Sequence, residues 1–264
     1  MIFATGLTGT IGRKCATFAT PLAIKYFEET NSILHEHLKT SDFVGSTWIH
    51  LAGFTNQELI NKNPLYSRRV NTDFPLLVAS EAIKLGVKRF IFVSTGHVYA
   101  TSSSPISEED QTDPQSVYAT HKLDAEFAIK ELLRGSGIEV VIARIFSILD
   151  LEGQIHTLGG AIREILSNPK TDRRILSSLD VRDFQTSETV SLQLFDIARS
   201  LEYFPIVNIC SGHAISVKDA VTKICSDSNI RIEEFLELKY SKLPFLVGNP
   251  HKLQIVIDSL SHSK

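Results

Sequence analysis

The chain opens on a short apolar run, Met1 to Thr5, that leads straight into three glycines spaced three apart: Gly6-Leu7-Thr8-Gly9-Thr10-Ile11-Gly12. A continuous apolar run of this length suits a buried strand of a parallel sheet. Glycines directly after it meet three physical demands: a tight turn, a backbone that comes close to a pyrophosphate, and a helix packed closely on the strand. A helix starting near Ile11 turns its first N–H groups toward the phosphates. The spacing is G-x-x-G-x-x-G, one residue longer in its first gap than G-x-G-x-x-G. This turn commits the chain to an α/β sheet that binds its ligand at the carboxyl ends of the strands.

The remaining pattern supplies that sheet. Pro21 to Phe27 reads as a second strand ending at Glu28 and Glu29. A carboxylate there either holds adenosine ribose hydroxyls or is a solvated opening of the next helix. Asn31-Ser32 reads as an N-cap. Trp48 to Gly53 is a buried strand ending in small residues that let a backbone approach a cofactor. A helix from Arg69 carries apolar residues at helical spacing through Ile83 and stops at Gly86. Lys88 to Ser94 is the next strand, and Thr95 follows at its carboxyl end, where it faces a ligand. A helix from Tyr118 to Leu133 precedes the strand Ile138 to Phe146. Strand, helix and strand with short links mean right-handed parallel crossovers.

Beyond Ser147 the pattern changes. Helices are expected at 159–166, after Arg182-Asp183-Phe184, from the Ser216 cap with Asp219 at its third position, and at 250–260. A strand is expected at 206–210. The expected fold is a Rossmann-type doubly wound parallel sheet with a small C-terminal α/β substrate lobe. Residues 1–147 with about 181–210 form the dinucleotide-binding domain, and 148–180 with 211–264 form the lobe.

Tyr118 and Lys122 stand four apart on one helix, hence on one face. A phenol titrates near pH ~10, too high for base catalysis at neutral pH. A nearby ammonium favours the phenolate, and such a Tyr can pass a proton to or from a substrate hydroxyl. Composition narrows the setting. A net charge of −3 offers no basic excess for nucleic acid or an anionic membrane. Cys15, Cys210 and Cys225 are widely spaced and form no CxxC pair, so no disulfide framework or metal site is expected. Nothing resembles a signal peptide or a membrane span, and a cytoplasmic protein is expected.

In order, these pieces resemble the extended short-chain dehydrogenase/reductase family, in its nucleotide-sugar epimerase/dehydratase branch. The carrying residues are TGLTGTIG at 5–12, IHLAG at 49–53, RRVNTD with Asn71, GVKRFIFVSTGHVYA at 86–100 and ISEEDQTDPQSVYATHK ending at Lys122. RIF at 144–146, RDF at 182–184 and VNICSGHAISVKDA from Val207 complete them. The resemblance implies NAD or NADP as cofactor, a nucleotide-sugar substrate, Tyr118 as general acid/base, Lys122 on the nicotinamide ribose and Thr95 on the reacting hydroxyl. By position, Gly6, Gly9, Thr10, Ile11 and Gly12 match the phosphate loop. Leu51, Ala52, Gly53 and Phe54 match the cofactor wall, Asn71 the cofactor-side Asn, and Phe146 the residue near the nicotinamide. Glu28 takes the ribose position. Ser147 and Arg182 match substrate positions. Arg182 is expected either on the substrate diphosphate or in an ion pair with a neighbour such as Asp183.

Departures narrow the reaction. Gly96 and His97 stand where dehydratases of the branch carry Asp-Glu, which disfavours water elimination. Ser147 replaces an Asn. Residues 176–181 lack the glycine-rich turn, and the stretch between residues 13 and 47 is abbreviated, as in compact 4-ketoreductases. His97 and His121 have no role in the resemblance and are expected in a loop and on a helix surface. The reading is an epimerase or ketoreductase, with a non-catalytic dinucleotide-sensing protein on the same scaffold as the alternative. The family's homodimer would use the helices at 75–85 and 118–134.

Overall fold

The computed structural model of the chain describes residues 1–22, 40–226 and 228–261. In chain order the first elements are β1 (Ile2–Thr5), α1 (Thr10–Cys15), β2 (Thr20–Pro21), β3 (Thr47–His50), α2 (Gln57–Lys62), α3 (Pro64–Arg68), α4 (Phe74–Lys84), β4 (Arg89–Thr95), α5 (Val117–Leu132) and β5 (Glu139–Ile145). β6 (Ser147–Ile148), α6 (Leu158–Ser167), β7 (Val181–Arg182), β8 (Phe184–Gln185), α7 (Ser187–Arg199), β9 (Ile206–Ile209), β10 (Ile215–Ser216), α8 (Val217–Ile224), β11 (Phe245–Leu246) and α9 (His251–Ser261) follow. Most of the second strand expected beyond Leu22, the Asn31-Ser32 cap and Glu28 lie outside the described residues.

β1, β2, β3, β4, β5 and β9 form one parallel sheet in the order β2-β1-β3-β4-β5-β9. The chain leaves β1 for one side and returns to β3 on the other. That reversal is the topological switch point where ligands of open α/β sheets bind. Successive strand residues face opposite sides, and both sides are apolar, which is why these strands read as unbroken hydrophobic runs. Trp48, Phe90, Phe92 and Ile142 pack with Val78, Ala82, Ala125 and Ile129 of α4 and α5. Ile49, Ile91, Val141 and Ile209 pack with Cys15, Val190, Leu194, Leu253 and Val256 on the other side. Burying each large apolar side chain contributes about 1.5–3 kcal/mol.

The lobe has a small sheet, β10-β7-β11, and its own core of Ile162, Ile165, Ile175, Val221 and Phe235. The β6–β8 pair joins its two entry points. Two segments sit differently from the expected boundaries. β7 lies in the lobe sheet, and α9 packs on the main core against α7 and β9. Leu253 and Val256, three apart, form the apolar face that takes α9 there. The turn expected to need glycine before the RDF residues is made by Ser177 at φ 51°, a left-handed residue that costs about 1–2 kcal/mol without glycine.

Candidate active site

A cleft of about 750 Å³ lies at the carboxyl ends of β1, β3, β4 and β5, with the lobe on its far side. Its phosphate-loop end is sterically exact in two places. Gly6 holds φ +73°, and a Cβ there would lie 2.5 Å from the Ala52 nitrogen. A Cβ on Gly12 would lie 2.1 Å from the Gly6 oxygen, so only glycine lets α1 close on the turn. Gly9 caps α1 without a side-chain bond, and the first turn carries no acidic residue. Backbone N–H groups at that end are therefore open to an anion. The loop fits a dinucleotide pyrophosphate.

The chemical end is built by α5 and β4. Ser116 caps α5 by accepting from the Ala119 N–H, which sets Tyr118 and Lys122 one turn apart on the cleft side. Tyr118 is half-buried, and burial pushes its phenol up to about 12. Lys122 is 4% exposed, with Nζ 3.9 Å from the centre of the Phe92 ring. A cation over a ring face recovers part of its lost hydration. Burial still pulls Lys122 down to about 7, with the Glu126 carboxylate acting in the opposite direction. Burial and Lys122 together hold nearby His50 neutral, at about 3. Thr95 is buried, and its Oγ1 accepts the His97 N–H at 3.2 Å. Its own hydroxyl proton is left to donate into the cleft.

Gly6, Gly9, Thr10, Ile11, Gly12, Leu51, Gly53, Thr95, Tyr118, Lys122, Phe146, Ser147 and Arg182 all line this cleft. Ala52 and Asn71 stand behind it. Ala52 backs the Gly6 turn and donates its N–H to Thr5 Oγ1 at 3.3 Å. Asn71 lies in a π-turn at Arg69–Asp73, and its amide clasps Phe54 by accepting the N–H and donating to the carbonyl, each at 2.8 Å. It fixes the Phe54 backbone next to Gly53 of the cleft.

Arg182 pairs with Asp180 at 2.6 Å. Asp183 instead accepts from the Ser211 and Gly212 backbone. His97, expected in a loop, lies in the turn after β4, whereas His121, expected on a helix surface, is buried. His97 is half-buried in the cleft, and His121 is buried with Nδ1 3.1 Å from Ser67 Oγ.

The lobe adds groups that local sequence reading does not find. Arg173 lines the cleft, donates to the Ile155 carbonyl at 2.9 Å, and keeps a buried Nε with no partner among the described residues. His156 Nε2 meets Thr55 Oγ1 at 3.2 Å across the cleft, joining lobe and sheet. Among the described residues no cluster of metal-binding side chains occurs, and no helix is long and apolar enough to cross a membrane.

A profile of the NAD dependent epimerase/dehydratase family matches residues 34–185. UDP-glucose 4-epimerase of Vibrio cholerae is 39% identical over 80 residues, 29% of this chain and 24% of that protein. The chain spans well under half the length of the first curated relatives it matches. Two solved structures share the fold. MoeE5 in complex with UDP-glucuronic acid and NAD superposes with a TM-score of 0.82 at 20% identity, over 98% of this chain and 92% of that one. RMD from Pseudomonas aeruginosa, complexed with NADPH, superposes at 0.81 and 20% identity with the same coverage.

Proposed function

The chain belongs to the NAD dependent epimerase/dehydratase family, and from that premise we propose that it is an NAD(P)-dependent epimerase or ketoreductase of a nucleotide-linked sugar. The observation that carries this is one cleft holding the glycine loop at one end and Thr95, Tyr118 and Lys122 at the other. Thr95 donates to the reacting sugar hydroxyl, and Tyr118 exchanges a proton with that oxygen. Lys122, buried and with no hydrogen-bond partner among the described residues, takes the nicotinamide ribose. The nicotinamide supplies the hydride acceptor or donor. Arg182 and Arg173 are the cations for the diphosphate, and a phosphate oxygen would satisfy the orphaned Arg173 Nε.

The test is titration with NADH and NADPH, followed by a thermal-shift screen of UDP- and dTDP-hexoses. A ligand at about a hundredfold excess over Kd should raise Tm by roughly 5–10 °C. Failure of both cofactors to bind would remove the enzyme reading. Cofactor binding without turnover of any sugar would favour the alternative, a non-catalytic dinucleotide-binding protein.

The same reading includes a homodimer through α4 and α5. These helices pack side by side and leave Ile83, Leu132 and Phe127 exposed, the last at 58%. Sedimentation at micromolar concentration should give a dimer, and Phe127→Asp should give monomers. A monomeric parent chain would rule this interface out.

A further inference from the structure

We propose that His97 is a specificity-determining residue whose imidazole hydrogen-bonds a sugar hydroxyl other than the one held by Thr95. This deepens the nucleotide-sugar reading and rests on it. His97 sits in the single helical turn Gly96–Val98 that ends β4. Its backbone N–H is bonded to Thr95 Oγ1, so ring and hydroxyl belong to one rigid turn. That turn is fixed from the other side. Gly96 is buried beneath Phe146, and a Cβ there would come within 3.2 Å of three ring atoms. A bulkier residue at 96 would displace the turn and with it both polar groups.

His97 lines the cleft, and neither of its ring nitrogens has a hydrogen-bond partner among the described residues. A half-buried imidazole with both nitrogens free is a polar group waiting for a ligand. The Arg182 guanidinium and the Asp180 carboxylate, paired at 2.6 Å, both act on it electrostatically. Burial and Arg182 hold the His97 ring neutral, at about 4, although Asp180 acts against them. A neutral imidazole has one N–H donor and one acceptor, which matches a hydroxyl that also donates and accepts.

The experiment compares the whole chain with His97→Ala and His97→Gln, each saturated with NADH. Calorimetry gives Kd for UDP and for UDP-glucose, UDP-galactose, UDP-N-acetylglucosamine and UDP-glucuronic acid. The readout is the affinity gained over UDP by the best neutral sugar. His97→Ala should reduce that gain about tenfold and leave UDP and NADH affinities unchanged. His97→Gln, which keeps a donor and an acceptor, should recover most of it. A gain that survives His97→Ala overturns the proposal and leaves the function reading standing. Equal weakening of UDP and the UDP-sugar also overturns it, because His97 would then be structural. A parent protein with no sugar-dependent gain on any UDP- or dTDP-hexose of the screen removes the nucleotide-sugar reading itself and this proposal with it.

Discussion

Tyr118→Phe is expected to lower kcat by about 10²–10⁴-fold, the usual contribution of a positioned general acid/base. NADH affinity and Tm should stay at parent values. The substitution keeps the ring and removes one oxygen, and that oxygen has no hydrogen-bond partner among the described residues. No protein contact is lost with it. A merely structural Tyr118 would show the reverse, a changed Tm with turnover retained. Without ligands the phenol is held at about 12, so the resting residue is protonated and set to donate. Drawing a proton from a sugar hydroxyl needs the phenolate, and the cation on its own helix face is Lys122. The pH profile of the parent kcat should therefore contain one ionisation that the Phe variant lacks. Steady-state turnover on the best sugar from the binding screen measures both effects. A variant within tenfold of the parent would remove Tyr118 from the proton-transfer role.

Some of this site is legible in the sequence because it is local. The glycine loop is one turn between one strand and one helix, and the Gly12 contact acts within it, although Gly6 is also confined by Ala52 at the end of the neighbouring strand. Tyr118 and Lys122 share a face because a helix repeats every 3.6 residues. Strand polarity also places Thr95 at the ligand edge without tertiary information. Where local reading falls short, the cause is a relation across the fold. Arg182 meets Asp180, two residues back, and Asp183 turns to residues 211–212. Asn71 matches a cofactor-side position, yet the π-turn spends its amide on Phe54. Arg173 and His156 reach the cleft only because the lobe folds over the sheet, and no spacing announces it. α9 leaves the lobe for the main core for the same reason: its apolar face has a partner only in three dimensions.

Glu126→Leu is expected to destabilise the ligand-free protein by about 3–5 kcal/mol, which lowers Tm by roughly 10 °C. Glu126 is fully buried on α5 and meets Arg144 of β5 at 2.6 Å, with two further contacts to Nε. The Ser94 hydroxyl donates to the same carboxylate. Arg144 also lies over the Tyr99 ring, 4.6 Å from its centre, and the Tyr99 hydroxyl donates to Asn208 at 2.7 Å. Leucine fills much of the volume but leaves a buried guanidinium without its counter-charge, and that uncompensated charge dominates the loss. Adding Arg144→Met should recover much of the stability, because an apolar pair needs no compensation. Thermal unfolding of the two variants decides it, and a Glu126→Leu protein within about 2 °C of the parent would show that Arg144 reaches water. The same carboxylate acts one turn along α5 on Lys122, where it opposes the burial that holds the ammonium at about 7. With the folded value below the ordinary 10.5, the unfolded chain binds the extra proton between those values, so stability rises with pH across that window. Removing Glu126 takes away the opposing charge and extends the window below pH 7. The difference in Tm between the variant and the parent should therefore be larger at pH 6 than at pH 9, a trend that loss of packing alone does not produce.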